Sequence, residues 1–259
     1  MQIGQRYHGF ILKQQKEVKE IDAYGKLFVH EKSGARLFKL ESKDDNKTFC
    51  ISFKTIPQDD TGVPHILEHS VLNGSKHFPV KSPFTVLTKG SLNTFLNAMT
   101  AADHTMYPVA SRNAKDFRNL MHVYLDAVFY PNIYTDPLIF QQEGWHYELE
   151  KPDGELTFNG VVFNEMKGAF SSPESELYYF ITQQLFPDNT YGNSSGGRPE
   201  SIVDLTYEQF LDFHKKHYHP KNSYILLYGD GDTLSELEFI DQHYLSNFEL
   251  IDYVATVKR

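Results

Sequence analysis

The residues best suited to chemistry are His65, Glu68 and His69, which read H-x-x-E-H in the stretch HILEH. Thr61-Gly62-Val63-Pro64 comes just before them; Pro64 suits a first helical turn, and Gly74 suits the stop. On that helix the two histidines lie about 40° apart around the axis, so both imidazoles can reach one metal ion. Glu68 falls on the same side and can face a water on that ion. Two imidazoles, a carboxylate and an open fourth position suit Zn2+, because the open position is where water is activated. Zinc lowers the pKa of its water towards about 7, and a neighbouring carboxylate takes the proton as the water attacks a carbonyl. The order is the inverted form of the zincin H-E-x-x-H motif. So short a motif also recurs by chance on surface helices, so a third ligand must come from elsewhere in the chain. By residue type, Glu165, Glu143, Glu148 and His146 all qualify.

Other reactive residue types read as structural. His104 and His146 are expected to be packed or hydrogen-bonded. His214, His217 and His219 resemble a metal tract but sit at the end of an expected helix. Cys50 lies in an expected strand without a nearby base, which argues against a nucleophile. Tyr191–Pro199 holds three glycines but lacks the G-K-[ST] ending of a phosphate loop, so it reads as a substrate-side or connecting loop.

The elements that must position these residues follow from pattern and punctuation. Lys26–His30 and Phe49–Lys54 read as strands, with a polar turn over Glu41–Lys47 between them. Ser82-Pro83 opens a short helix that Gly90 ends. SLNTFLNAMT and AADHTMYPVAS read as two strands joined by an Ala-Ala-Asp turn. Asn113 caps the clearest helix, whose stripe of Phe117, Leu120, Met121, Tyr124, Leu125, Val128 and Phe129 is core. Asp136-Pro137 starts a further helix stopped by Gly144, and WHYELE alternates like a strand. Asn159 is expected to cap a helix through VVFNEMKGAF, with another over Glu174–Phe186. Thr206 and Gln209 form a capping box, SYILLYG is a strand, and Ser235–Phe248 is a last helix. Strands and helices interspersed without strict βαβ alternation predict an α+β domain: a mixed, largely antiparallel sheet with helices packed on it.

Composition narrows the function classes. The 259 residues carry a net charge of −9, which argues against a nucleic-acid partner and suits a basic or neutral one. No apolar run approaches the roughly 18–20 residues that span a bilayer, and the first residues lack the core of a signal peptide. A single cysteine cannot pair internally. A soluble, cytoplasmic protein without a membrane partner is the expectation.

Five blocks then carry a resemblance: GVPHILEHSVLNGS at 62–75, LNAMTAADHTMYP at 96–108, QQEGWHYELE at 141–150, GVVFNEMKGAFSSPES at 160–175 and NSSGGRPESIVDLTYEQFLDFHKKHYHPKNSYILLYGD at 193–230. They resemble the pitrilysin/insulinase family of inverted-motif zinc metallopeptidases, and more closely its presequence-protease branch. The resemblance implies a LuxS/mitochondrial-processing-peptidase-like metallohydrolase domain. It implies zinc held by His65, His69 and Glu165, with Glu68 as general base and then acid to the leaving amine. It also implies an edge strand at LNA that adds the substrate as an extra strand, which points to Asn97 and Ala98. Many relatives carry a further Glu seven residues ahead of the third ligand; this chain has Phe158 there. Asn164 or Glu143 is then left to orient the site.

Members of that branch are long single chains of four related domains, two halves closing around a peptide. Residues 1–259 are therefore expected to be one N-terminal zinc-metallopeptidase domain and a fragment of a longer chain. The expected partners are peptide substrates and the C-terminal half of that chain. The competing expectation is a catalytically weak or inactive peptide-binding or scaffold domain when separated from the rest.

Overall fold

The strand Lys47–Lys54 alternates strictly, with Phe49, Ile51 and Phe53 fully buried and their neighbours partly exposed. That period of two builds one face of the sheet onto which the helices pack. The computed structural model describes residues 1–253 and 255–257; Val254, Lys258 and Arg259, at the end of the expected 1–259 domain, lie outside the described residues.

Strands β1 (Arg6–Tyr7), β2 (Phe10–Val18), β3 (Ala23–His30), β4 (Arg36–Glu41) and β5 (Lys47–Lys54) open the chain. Helices α1 (Val63–Val71) and α2 (Pro83–Gly90) precede β6 (Asn93–Leu96), β7 (Met99–Thr100) and β8 (His104–Ser111). Helices α3 (Ala114–Phe129) and α4 (Leu138–Glu143) lead to the hairpin β9 (His146–Glu148) and β10 (Thr157–Asn159). Then come α5 (Val161–Ala169), α6 (Pro173–Leu185), α7 (Pro199–Ile202) and α8 (Tyr207–His217), followed by β11 (Ser223–Gly229) and α9 (Thr233–His243).

The main sheet has nine strands in the order β1-β2-β3-β4-β11-β5-β8-β6, with β7 also paired to β8. Among the described residues the only parallel pair is β11 with β4; β11 lies antiparallel to β5. The sheet is thus mixed and largely antiparallel, and helices pack on it, as the pattern predicts. Ile225 and Leu227 of β11 join Phe49 and Ile51 in one core with Leu120, Tyr124 and Val128 of α3 and Ile66 and Leu67 of α1. Each such side chain contributes roughly 1.5–3 kcal/mol by leaving water. Asn113 Oδ1 accepts from the Lys115 and Asp116 amides, and Thr206 with Gln209 forms the expected box.

Four details differ from the pattern. Strand β4 was hidden because Lys39 occupies one of its inward positions, fully buried and paired with Glu236 of α9 at 2.6 Å. A charge at a core position erases the alternation on which strand reading depends. Asn159 is the last residue of β10 and not a helix cap: Gly160 holds that place, and Asn159 Oδ1 accepts its amide. The strand at LNTFLNAMT breaks at Asn97-Ala98, between β6 and β7. The last helix starts at Thr233, capped by Asp232, and ends at His243, where the Tyr244 backbone leaves the helical region before a short turn over Leu245–Asn247.

Candidate metal centre

Helix α1 buries Ile66, Leu67 and Val71 in the core, which turns His65 and His69 toward a cleft between α1, α4 and α5. Each imidazole is held from behind. His65 Nδ1 donates to the Gly196 carbonyl at 3.1 Å, and His69 Nδ1 donates to Glu143 Oε2 at 3.3 Å. Since neither acceptor can donate, both Nδ1 atoms carry a hydrogen, which leaves each Nε2, on the cleft side, as the atom available to an ion. Each Nε2 lies 3.8 Å from Glu165 Oε2 on α5.

Among the described residues, His65, His69 and Glu165 are the only group of three with ligand atoms all within 4.8 Å of one another. Two ligands about 2.1 Å from a tetrahedral ion sit about 3.4 Å apart, so small side-chain rotations would close this set on one. Two imidazoles and one carboxylate, each imidazole oriented by an outer acceptor, fit a divalent metal. Electrostatics agree. Burial pulls the His69 pKa down, but the Glu143 hydrogen bond and the carboxylates of Glu68, Glu143 and Glu165 push it above its ordinary value. Such a concentration of negative charge favours a cation.

Glu68 faces the same cleft and is almost buried. Thr100 Oγ1, on β7, donates to Glu68 Oε2 at 2.6 Å. Below lie the paired hydroxyls of Tyr107 and Tyr218, 2.8 Å apart. Burial, aided by the Glu68 charge, raises both phenols well above their usual pKa, so they stay neutral.

The rival ligands are placed elsewhere. Glu143 backs His69, and its other oxygen accepts from Gln142 at 2.7 Å. Burial raises its pKa, but the His69 and Gln142 hydrogen bonds outweigh that and hold it below the usual range. His146 and Glu148 pair with each other at 3.0 Å on the small hairpin. Phe158 packs among Trp145, Tyr147 and Phe163, and Asn164 donates to Asn159. Of the two candidate orienting residues, Glu143 touches the site.

Asn97 and Ala98 lie at the outer edge of the sheet and line a cavity of about 400 Å³ with Glu68, His69, Leu72 and Phe84. The Asn97 main chain is turned inward: its amide donates to the Pro108 carbonyl, and its carbonyl accepts the Tyr124 hydroxyl. Ala98 has no main-chain partner among the described residues.

His104, His214 and His217 are bonded within the fold, away from the cleft. His104 bonds Asp103. His214 is buried, donates through Nε2 to the Val128 carbonyl and accepts the Tyr134 hydroxyl at Nδ1. His217 donates to the Lys54 carbonyl. Burial pushes the Cys50 thiol up to about 11. Thr100 and Gly196 are contributors the sequence reading missed; nothing in their local pattern marks them, since their partners lie far away in the chain.

Fold and centre together define a class: an α+β layer bearing an inverted-motif ligand set beside an open sheet edge. The family Insulinase (Peptidase family M16) matches residues 56–171, and Peptidase M16 inactive domain matches residues 204–250. Protein HypA of Clostridium perfringens is 60% identical over 252 residues, 97% of this chain and 26% of that protein. Presequence protease 1, chloroplastic/mitochondrial, of Arabidopsis thaliana is 51% identical over 241 residues, 93% of this chain and 22% of that one. The crystal structure of pitrilysin superposes with a TM-score of 0.70 at 15% identity, over 90% of this chain and 24% of that one, which shows the shared fold. The chain belongs to the insulinase family of peptidases, in its presequence-protease branch. It spans about a quarter of the length of these curated relatives.

Proposed function

We propose that the chain carries the zinc centre of an endopeptidase that hydrolyses peptides or small unfolded polypeptides. One observation above the others supports this: two imidazoles and Glu165 converge at 3.8 Å beside the nearly buried carboxylate of Glu68. His65, His69 and Glu165 would hold the ion. Zinc, when bound, supplies Lewis-acid polarisation and a water that is nucleophilic at neutral pH.

The chain's own residues do the rest. Thr100 holds Glu68 Oε2, so that Glu68 takes the proton of the attacking water and later delivers it to the leaving amine. The main chain of Ala98, unpaired among the described residues, and the Asn97 side chain beside it pair with the peptide backbone as an added strand. Such pairing reads no side chain, which suits varied peptides. The cytoplasm is the compartment assigned on the single, partly buried Cys50.

The quarter share of its relatives' length supports a reading in which the N-terminal domain works with a C-terminal half, and alone binds peptide while cutting it slowly. The test is cleavage of a fluorogenic peptide by the full-length enzyme. Glu68→Gln is expected to retain zinc and lose activity by about 10²–10⁴-fold, and a chelator to abolish it. Full turnover by Glu68→Gln would sink the mechanism.

A further inference from the structure

The tautomer of His65 is set by one carbonyl, that of Gly196, and something must hold that carbonyl still. Its loop is unusually well tied for a segment with glycines at 192, 196 and 197. Gly62, the residue before α1, and Gly197 touch backbone to backbone. A Cβ on Gly62 would lie 2.6 Å from the Gly196 oxygen and 2.7 Å from Gly197 Cα. Both glycines have left-handed φ, at 68° and 93°. Contact alone does not orient a carbonyl, however.

We infer that Asp60 is the positioning residue of the metal centre, acting through the loop at 194–198 on His65. All three oxygens of Asp60 are engaged by that neighbourhood. Oδ1 accepts the Ser194 amide at 2.6 Å, Oδ2 accepts the Tyr179 hydroxyl at 2.8 Å, and the main-chain oxygen accepts the Arg198 amide at 2.8 Å. Ser194 and Arg198 flank Gly196 on either side, so one residue grips the loop at both ends of the carbonyl it presents. The grip is itself braced. The Arg198 guanidinium lies 4.4 Å from the Tyr179 ring and 4.7 Å from the Phe170 ring, and both its terminal nitrogens reach Glu176.

The chain of causes is short. Asp60 stands five residues before His65, on the segment that enters α1, and therefore moves with the helix that carries the imidazole. Fixing the loop to that segment fixes the acceptor relative to the ring, keeps the hydrogen on Nδ1 and leaves Nε2 free. Without that grip the two neutral tautomers compete, and the fraction with a proton on Nε2 cannot ligate. Outer partners of ligating histidines are typically worth 10–100-fold in metal affinity.

This inference rests on the proposed zinc centre, and the experiment separates the two. Zinc affinity is measured by chelator competition on wild type, Asp60→Ala and Asp60→Asn. Ring-nitrogen NMR shifts of His65 are recorded on the same proteins without metal. Asp60→Ala is expected to weaken zinc binding by about 10–100-fold and to mix the His65 tautomers. Asp60→Asn, which can still accept from Ser194, is expected to recover most of both. If Asp60→Ala does not fold, Tyr179→Phe, which removes one of the three bonds, is expected to shift the tautomer balance partway. Unchanged shifts in the folded variant overturn the role of Asp60. A wild type that binds no zinc overturns the centre, while the metal-free NMR comparison still decides on Asp60.

Discussion

At the scale of residues, the centre divides into a part written on one helical turn and a part delivered by distant segments. His65, Glu68 and His69 share a face because residues three and four apart in a helix do so by geometry alone. Glu165, Glu143 and Thr100 arrive from α5, α4 and β7; helical spacing marks none of them, and only the family block around Glu165 pointed to the set. The choice of Glu143 as a prop for His69 and not as a ligand also came only with the fold. Thr100 carries a prediction of its own. Its hydroxyl gives Glu68 a hydrogen bond to a charged acceptor, worth about 1.5–3 kcal/mol. Thr100→Val is therefore expected to lower kcat by about 10–100-fold with KM little changed, measured by steady-state peptide hydrolysis. A larger effect on KM than on kcat would assign Thr100 to substrate binding instead.

At the scale of elements, legibility tracked how completely an element obeys one period. Helix α3 and the box at α8 announce themselves through an apolar stripe and a capping pair. Strand β4 did not, since Lys39 sits where a hydrophobic residue would be expected. That lysine and Glu236 join β4 to α9 beneath the sheet's surface. Removing one partner of a buried pair strands the other charge, at a cost of about 3–5 kcal/mol. Lys39→Met is thus expected to lower unfolding stability by about that amount in urea titration. A change below about 1 kcal/mol would mean that Glu236 takes up a proton at little cost. Burial does already raise its pKa, against the opposing pull of Lys39.

At the scale of the whole molecule, the buried histidines outside the cleft shape the response to acid. Burial pushes His214 and His217 from 6.5 down to about 4. The unfolded chain therefore binds protons that the folded one refuses as pH falls from about 6.5 to about 4. Stability is fully present above that window and is lost within it, by roughly 3 kcal/mol for each histidine. The urea midpoint is expected to fall steeply over that range and to recover part of the loss in His214→Gln, an uncharged replacement. A midpoint flat between pH 6.5 and 4 would contradict the burial of both groups as neutral imidazoles.

Residue order was enough for the chemistry on offer: two histidines and a glutamate on one turn, the helices that obey a single period, and the family blocks in their order. The fold added that Glu165, which the family blocks imply, meets both histidines in one cleft, that Glu143 backs His69, and that Asn97 and Ala98 lie at the sheet edge beside them. The difference is one of range. Helical spacing and capping act within a few residues, whereas Glu165, Glu143, Thr100 and Gly196 meet α1 only after the core has packed and brought remote segments to one cleft.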